Sequence, residues 1–135
     1  MTNITLFKVP KIILMYAIFL TLFTALMVGM SFFNPVDFFS MYGLHGDSAF
    51  QYAWSGRYAA LLLIMIVGLI WRKPETIFFT IFARFLIDIF DVGGIILYNT
   101  PVFAIGNALF LAFGLIIPQL YCMYWIGSRI LQYKD

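Results

Sequence analysis

The sequence predicts an all-α polytopic membrane protein, folded as an antiparallel bundle of four transmembrane helices, and its composition and the length of its apolar runs carry that prediction. Of the 135 residues, 64% are hydrophobic and only 10% are charged, which is far from the composition of soluble domains. The apolar runs reach about 20 residues, the length that a helix needs to cross a hydrocarbon core of roughly 30 Å. The chain length predicts a single transmembrane domain, residues 1–135.

The first predicted span covers about residues 11–33 and is longer than the apolar core of a signal peptide. Small residues recur in it at a strict spacing of four: Ala17, Thr21, Ala25 and Gly29. In a membrane such a stripe lets two helix backbones approach closely. We therefore expect this face to pack against a neighbouring helix.

An aromatic connector follows the first span. Asn34-Pro35 ends the helix, because proline disfavours helical geometry in the residue before it. Aromatic side chains favour the interface between lipid and water. We expect a short interfacial helix that starts at Asp37 and turns Phe38, Phe39 and Met41 towards lipid.

The second and third spans are predicted at about residues 52–71 and 75–98, with a basic turn, Arg72-Lys73-Pro74, between them. So short a connection makes two helices antiparallel neighbours. Pro74 suits the first turn of a helix, because its missing N–H group has no partner there.

The fourth span is predicted at about residues 101–126, with Ala104, Ala108 and Ala112 as a second stripe of small residues. Pro118 interrupts it, and because proline has no N–H group, the carbonyl group of Gly114 loses its helical hydrogen bond. The sequence therefore predicts a kink here, and we expect Gln119 to bond the freed carbonyl group.

Basic residues indicate the orientation of the spans. They occur at the N-terminus, in the second connection and at the C-terminus, namely Lys8, Lys11, Arg72, Lys73, Arg129 and Lys134. Positive residues are retained on the cytoplasmic side of a membrane. We expect a protein of the inner membrane with both termini in the cytoplasm.

Ionisable residues inside the third span form the candidate site. Arg84, Asp88 and Asp91 share one helix face by their spacing of four and three. Arg57 of the second span and Asp88 both lie roughly 21 Å from the basic turn by helix rise. Each buried charge costs about 2.5 to 3.5 kcal/mol unless it is paired. We expect Arg57 to pair with Asp88 or Asp91, and Asn107 of the fourth span, at the level of Asp91, to complete the network.

This set has two interpretations that the residues leave open. It is either a clamp that holds the second and third spans in register or the lining of a polar cavity open to the outer leaflet. No phosphate-binding glycine loop, nucleophile elbow or metal-ligand spacing is present, and Cys122 and His45 each stand alone. We therefore predict no catalytic set, metal site or nucleic-acid partner.

The layout resembles the DoxX-like group of small bacterial four-helix membrane proteins. The resemblance rests on Asn34-Pro35, on the run from Gly56-Arg57 into the second span, on the basic turn and on the charged third span. It implies a compact bundle in which Arg57, Arg84, Asp88 and Asp91 form a polar pocket. Some members are associated with quinone-linked redox complexes or have an accessory role beside an enzyme, so the resemblance implies a quinone as one candidate ligand.

Four functions stay open from the sequence. The first is a binding or accessory module, in which the cluster holds the headgroup of a small amphiphile such as a quinone or lipid. The second is an enzyme acting on a lipidic substrate, with Asp88 or Asp91 as general acid or base, although no second catalytic element is present. The third is a proton or ion carrier, which two neutralising arginines disfavour. The fourth is a structural subunit that packs against another membrane protein or a second copy of the chain.

Overall fold

The computed structural model of the protein describes residues 8–41, 48–98 and 110–132. All regular structure in these ranges is helical. We number the helices α1 (Lys11–Phe33), α2 (Pro35–Met41), α3 (Ser48–Trp71), α4 (Pro74–Tyr98) and α5 (Ile117–Gln132). A π-helical segment, Phe110–Ile116, leads directly into α5.

Length and apolar composition qualify three of these helical stretches as membrane spans: α1, α3 and the π-helical segment together with α5. Large apolar side chains such as Ile12, Leu22 and Phe33 are exposed on α1, although its opposite side is buried. A helix that is apolar all round is typical of a membrane span. The prediction of a helical membrane protein is confirmed for the described residues, and α4 is equally long but carries four ionisable residues.

The long helices pack in a chain of neighbours. α1 packs on α3, α3 on α4, and α4 on both the π-helical segment and α5, while α2 lies against α1. One fully buried side chain from each of the four long helices marks their common core: Leu20, Met65, Ile81 and Ile126. The core thus joins residues from α1, α3, α4 and α5.

The predicted small-residue stripe of α1 packs only in part. Ala17 and Thr21 are buried, but Ala25 and Gly29 are half-buried, and a Cβ atom added at Gly29 would meet nothing within 4 Å. Residues spaced by four drift around a helix that has 3.6 residues per turn. The buried face therefore continues through other residues, namely Thr24, Met27 and Ser31.

The connector contains a short helix that begins at Pro35 and not at Asp37, and the prediction that Phe38 and Phe39 face lipid is wrong. Phe38 and Phe39 are 3% and 1% exposed, and they pack with Met27 of α1 and Trp54 of α3. The two rings form tilted and edge-to-face contacts with each other and with Trp54, an arrangement that aromatic quadrupoles favour. The side chain of Met41 and residues 42–47 lie outside the described part of the chain.

A backbone hydrogen bond caps the end of α3 at the turn into α4. Arg72 takes the left-handed conformation, with φ of 53°, and its N–H group donates to the Gly68 carbonyl group at 3.1 Å. This arrangement is a common helix C-cap. Beside it the two helices approach closely, because a Cβ atom at Gly68 would overlap the buried hydroxyl group of Thr80.

The backbone around Pro118 departs from the prediction. Tyr16 of α1 donates its hydroxyl hydrogen to the carbonyl groups of Gly114 and Leu115, at 3.1 and 3.0 Å. The expectation that Gln119 bonds the freed carbonyl group is therefore wrong, since a phenol from another helix takes that role. The π-helical segment directly before Pro118 is the local distortion that accompanies the lost hydrogen bond. Ala104 and Ala108 of the second stripe lie outside the described residues.

We expect Gly68→Ala to lower the free energy of unfolding by about 1 to 3 kcal/mol, because the added methyl group overlaps a hydroxyl that is itself bonded to Thr76. Gly56→Ala in the same helix is the control: its Cβ atom meets nothing, so better helix propensity should stabilise by about 0.5 to 1 kcal/mol. Denaturation by dodecyl sulfate in mixed micelles measures both. Adding Thr80→Ala should rescue Gly68→Ala, and an absence of rescue would refute the close approach.

We expect Tyr16→Phe to cost about 1 to 3 kcal/mol, because the Gly114 and Leu115 carbonyl groups lose their shared donor. Hydrogen–deuterium exchange should rise in residues 110–119 and stay unchanged in α3. Tyr124→Phe removes an exposed hydroxyl group from α5 and serves as the control. Equal exchange in the two variants would show that Tyr16 does not fasten this segment.

Candidate functional site

An ion pair within α4 is the centre of the candidate site. Arg84 and Asp88 are 1% and 2% exposed. The guanidinium group of Arg84 binds the carboxylate in a fork, with Nη2 at 2.7 Å from Oδ1 and Nε at 3.1 Å from Oδ2. Two parallel bonds fix the plane of both groups and make this the strongest type of ion pair.

Two further helices bond to the pair. Arg84 donates from Nη1 to the Thr24 hydroxyl oxygen of α1 at 3.1 Å, and Thr24 passes its own hydrogen to the Leu20 carbonyl group. Gln119 of α5 donates from Nε2 to Oδ2 of Asp88 at 2.7 Å. The pair thereby ties α1, α4 and α5 together inside the core.

Aromatic rings lie beside the guanidinium group. Its central carbon lies 5.8 Å from the ring centroid of Phe23 and 5.3 Å from that of Tyr58. Cations at such distances from an aromatic face are attracted by the ring quadrupole. The rings therefore stabilise the buried charge without using any of its hydrogen atoms.

Tyr58 links the buried ion pair to an exposed carboxylate. Its hydroxyl group donates a hydrogen bond to Oδ2 of Asp91, and Asp91 is exposed. Trp54, one turn earlier in α3, stacks on the Tyr58 ring with centroids 4.0 Å apart. We call Thr24, Tyr58, Arg84, Asp88, Asp91 and Gln119 the polar network.

The structure brings together the three charged residues predicted in α4 but changes the partner from α3. Arg57 is exposed, and among the described residues it forms no ion pair. The expectation that it pairs with Asp88 or Asp91 is therefore wrong. The buried face of α3 runs through Ser55, Tyr58, Leu61, Met65 and Gly68, which points Arg57 away from α4. Asn107 lies outside the described residues.

Sequence reasoning missed three members of the polar network: Thr24, Tyr58 and Gln119. The spacing of Leu61, Met65 and Gly68 leads back to position 58 in steps of three and four, so helix periodicity could have selected Tyr58 over Arg57. In α1, the same spacing leads from Ala17 to Thr24. Helix rise gives the depth of a residue along the helix axis, but it does not give the direction in which the side chain points about that axis.

Gln119 leaves one group without a partner. Its side chain is fully buried, and its carbonyl oxygen Oε1 has no hydrogen-bond partner in the described part of the chain. Because Nε2 donates to Asp88, the orientation of the amide is fixed, and Oε1 is an acceptor. A buried acceptor left unpaired costs about 1 to 3 kcal/mol.

The charges within the polar network do not cancel. One guanidinium group faces the two carboxylates of Asp88 and Asp91, and the guanidinium binds the first. The donor described for Asp91 is a neutral phenol. Asp91 is therefore the acidic group that is accessible for binding or proton exchange, whereas Asp88 is engaged by Arg84 and Gln119. No cluster of metal ligands occurs among the described residues.

Comparison with known proteins gives no match: no family model, curated protein or solved structure is significantly similar to this chain. The likeness to DoxX-like proteins therefore stays a prediction from sequence. The residues that carry it separate in the structure, because Arg57 is exposed whereas Arg84 and Asp88 are buried.

We expect Thr24→Val to cost about 1 to 3 kcal/mol of unfolding free energy, because one N–H group of the buried guanidinium loses its acceptor. Thr21→Val is a matched control: Thr21 is also buried on α1 and bonds its own helix at the Ala17 carbonyl group, but it does not bond Arg84. Its cost should stay below about 1 kcal/mol, since an intrahelical threonine bond adds little. Equal costs in dodecyl sulfate titrations would rule out a role for Thr24 in holding Arg84.

Proposed function

We propose that the protein is a binding or accessory module of the inner membrane, built as an antiparallel four-helix bundle, that holds the polar headgroup of a small amphiphile at the exposed end of the polar network. The buried end, Arg84 with Asp88, acts in this proposal as a clamp between helices. The exposed end, Asp91 with Tyr58, is the binding surface.

Two contacts between α3 and α4 support the antiparallel arrangement. Tyr58 bonds Asp91, and Gly68 lies against Thr80. Residue numbers rise in α3 as they fall in α4 between these two contacts. The short Arg72-Lys73 turn between the helices agrees with this direction.

The basic residues at helix ends support cytoplasmic termini. Lys11 begins α1, Arg72 and Lys73 join α3 to α4, and Arg129 lies in the last turn of α5. In an up-and-down bundle these ends share one side, and positive residues are retained in the cytoplasm. Asp91 then lies roughly 25 Å from this side by helix rise, close to the outer headgroups.

One observation carries the proposed binding: Asp91 is an exposed carboxylate on α4, which packs against two of the candidate membrane spans, and it is bonded to a neutral phenol. A carboxylate at such a place is costly unless polar groups of lipid or water reach it. Ionisable residues in membrane spans mark ligand and ion pathways for this reason. The resemblance to DoxX-like proteins agrees with an accessory role, and with a quinone as one candidate ligand.

Native mass spectrometry of the protein released from its membrane tests the proposal. We expect a bound amphiphile on the unaltered protein and its loss from Asp91→Leu, which removes the polar anchor while suiting a lipid-exposed helix position. Asp37→Asn is the control, because Asp37 is an exposed carboxylate of α2 that bonds Asn34 and lies outside the polar network. An unaltered protein that carries no amphiphile, or an Asp91→Leu variant that retains it, would contradict the proposal.

A further inference from the structure

The unpaired acceptor of Gln119 restricts what the polar network can bind. Its oxygen Oε1 belongs to a fully buried side chain whose Nε2 atom is bonded to Asp88. Because an amide is planar, Oε1 lies next to that bond, within the polar network. A group that bonds it has to supply a hydrogen atom.

At the accessible end of the polar network, Asp91 is also a hydrogen-bond acceptor. The carboxylate of Asp91 is an acceptor, and the hydroxyl hydrogen of Tyr58 is already donated to it. Thr24 likewise donates its hydrogen to its own helix. Gln119 Oε1 and the Asp91 carboxylate therefore accept hydrogen bonds, and a ligand that bonds these two groups has to be a donor.

The charge of the polar network disfavours ligands with an anionic headgroup. Arg84 contributes one positive charge and the two aspartates two negative charges, so the ionised set carries a net negative charge. The guanidinium group is bonded to Asp88 and Thr24 and lies beside two aromatic rings. An anionic headgroup would meet Asp91 before any cation of the polar network.

The backbone near Gln119 departs from regular α-helical geometry. Gln119 directly follows Pro118, and the π-helical segment ends at Ile116, so regular α-helical hydrogen bonds are interrupted shortly before it. Tyr16 fastens this stretch to α1 through two carbonyl groups. Such segments adjust locally more easily than a continuous α-helix does, because fewer backbone bonds have to break.

We propose that the polar network selects amphiphiles whose headgroup carries O–H or N–H donors and no negative charge, and that Gln119 Oε1 and the Asp91 carboxylate accept those hydrogen bonds. This inference rests on the proposed binding of an amphiphile and names its chemical class. A quinone, which offers carbonyl acceptors alone, does not fit this class, whereas its reduced dihydroxy form does.

Paired probes test the inference in nanodiscs of dioleoylphosphatidylcholine, a lipid whose headgroup has no hydrogen-bond donor. One pair is monomyristoylglycerol and its diacetate, and the other is a decyl hydroquinone and its dimethyl ether. Within each pair, the second compound keeps the chain and loses the donors. We expect the donor compound of at least one pair to bind about tenfold or more tightly than its blocked partner, and the pair that does so identifies a glycerol or an aromatic diol headgroup.

Two variants assign the effect to residues. Gln119→Leu should remove most of the difference between donor and blocked probe, while Gln132→Leu, the same substitution at an exposed position of α5, should keep it. Tyr58→Phe should raise the affinity for the donor probe about threefold or more, because it frees Asp91 to accept from the guest. Tyr52→Phe, at an exposed position of α3, is its control.

The outcomes separate this inference from the proposed function. Equal binding of donor and blocked probes in both pairs would overturn the inference and leave amphiphile binding in place, with Gln119 bonded by water. Binding of none of the four probes would also overturn it, and native mass spectrometry would then decide the proposed function alone. If Gln119→Leu fails to fold, the effect of Tyr58→Phe decides: an unchanged or weaker affinity for the donor probe contradicts the inference.

Discussion

The bidentate pair between Arg84 and Asp88 is the interaction on which the rest of the structure depends. Two charges are removed from water in the centre of the protein, and the attraction between them repays that cost only when their remaining hydrogen-bonding groups are also satisfied. Thr24 accepts from the guanidinium group, Gln119 donates to the carboxylate, and the ring of Tyr58 lies beside the positive charge. Turning α1 or α5 about its axis would break one of these hydrogen bonds, and turning α3 would remove the ring, so the pair favours one rotation of each helix.

The polar network joins a sealed interior to an accessible surface within α4. Asp88 is nearly inaccessible, yet Asp91, three residues later, is exposed. The first carboxylate has a cation and an amide as partners, whereas the second is described with a phenol alone. The same chemical group is therefore enclosed by partners at one depth and accessible from outside the protein at the next.

The sequence was sufficient for the helical class and for the charged face of α4, because composition and spacing act within one segment. It was insufficient for contacts between segments. Helix rise counted from the basic turn predicts that Arg57 is level with Asp88, but depth is one coordinate and helix rotation is another, and the contacts of α3 pair Tyr58 with Asp91. The burial of Phe38 and Phe39 depends on Met27 and Trp54, which belong to the helices on either side of the connector, so the composition of the connector alone does not predict it. The role predicted for Gln119 is wrong for a similar reason, since Tyr16, which bonds the freed carbonyl group, lies 98 positions from Gly114 in the sequence.

The intrahelical closure of the Arg84–Asp88 pair bears on how the chain is made. A charged helix is the hardest segment for a translocon to release into lipid, and helices generally insert before they assemble. Arg84 and Asp88 lie one turn apart, so α4 by itself supplies both members of the ion pair. Had Arg57 been the partner, neutralisation would have required two helices. The pairing of these charges therefore depends on α4 alone, whereas the contacts with Thr24 and Gln119 depend on α1 and α5.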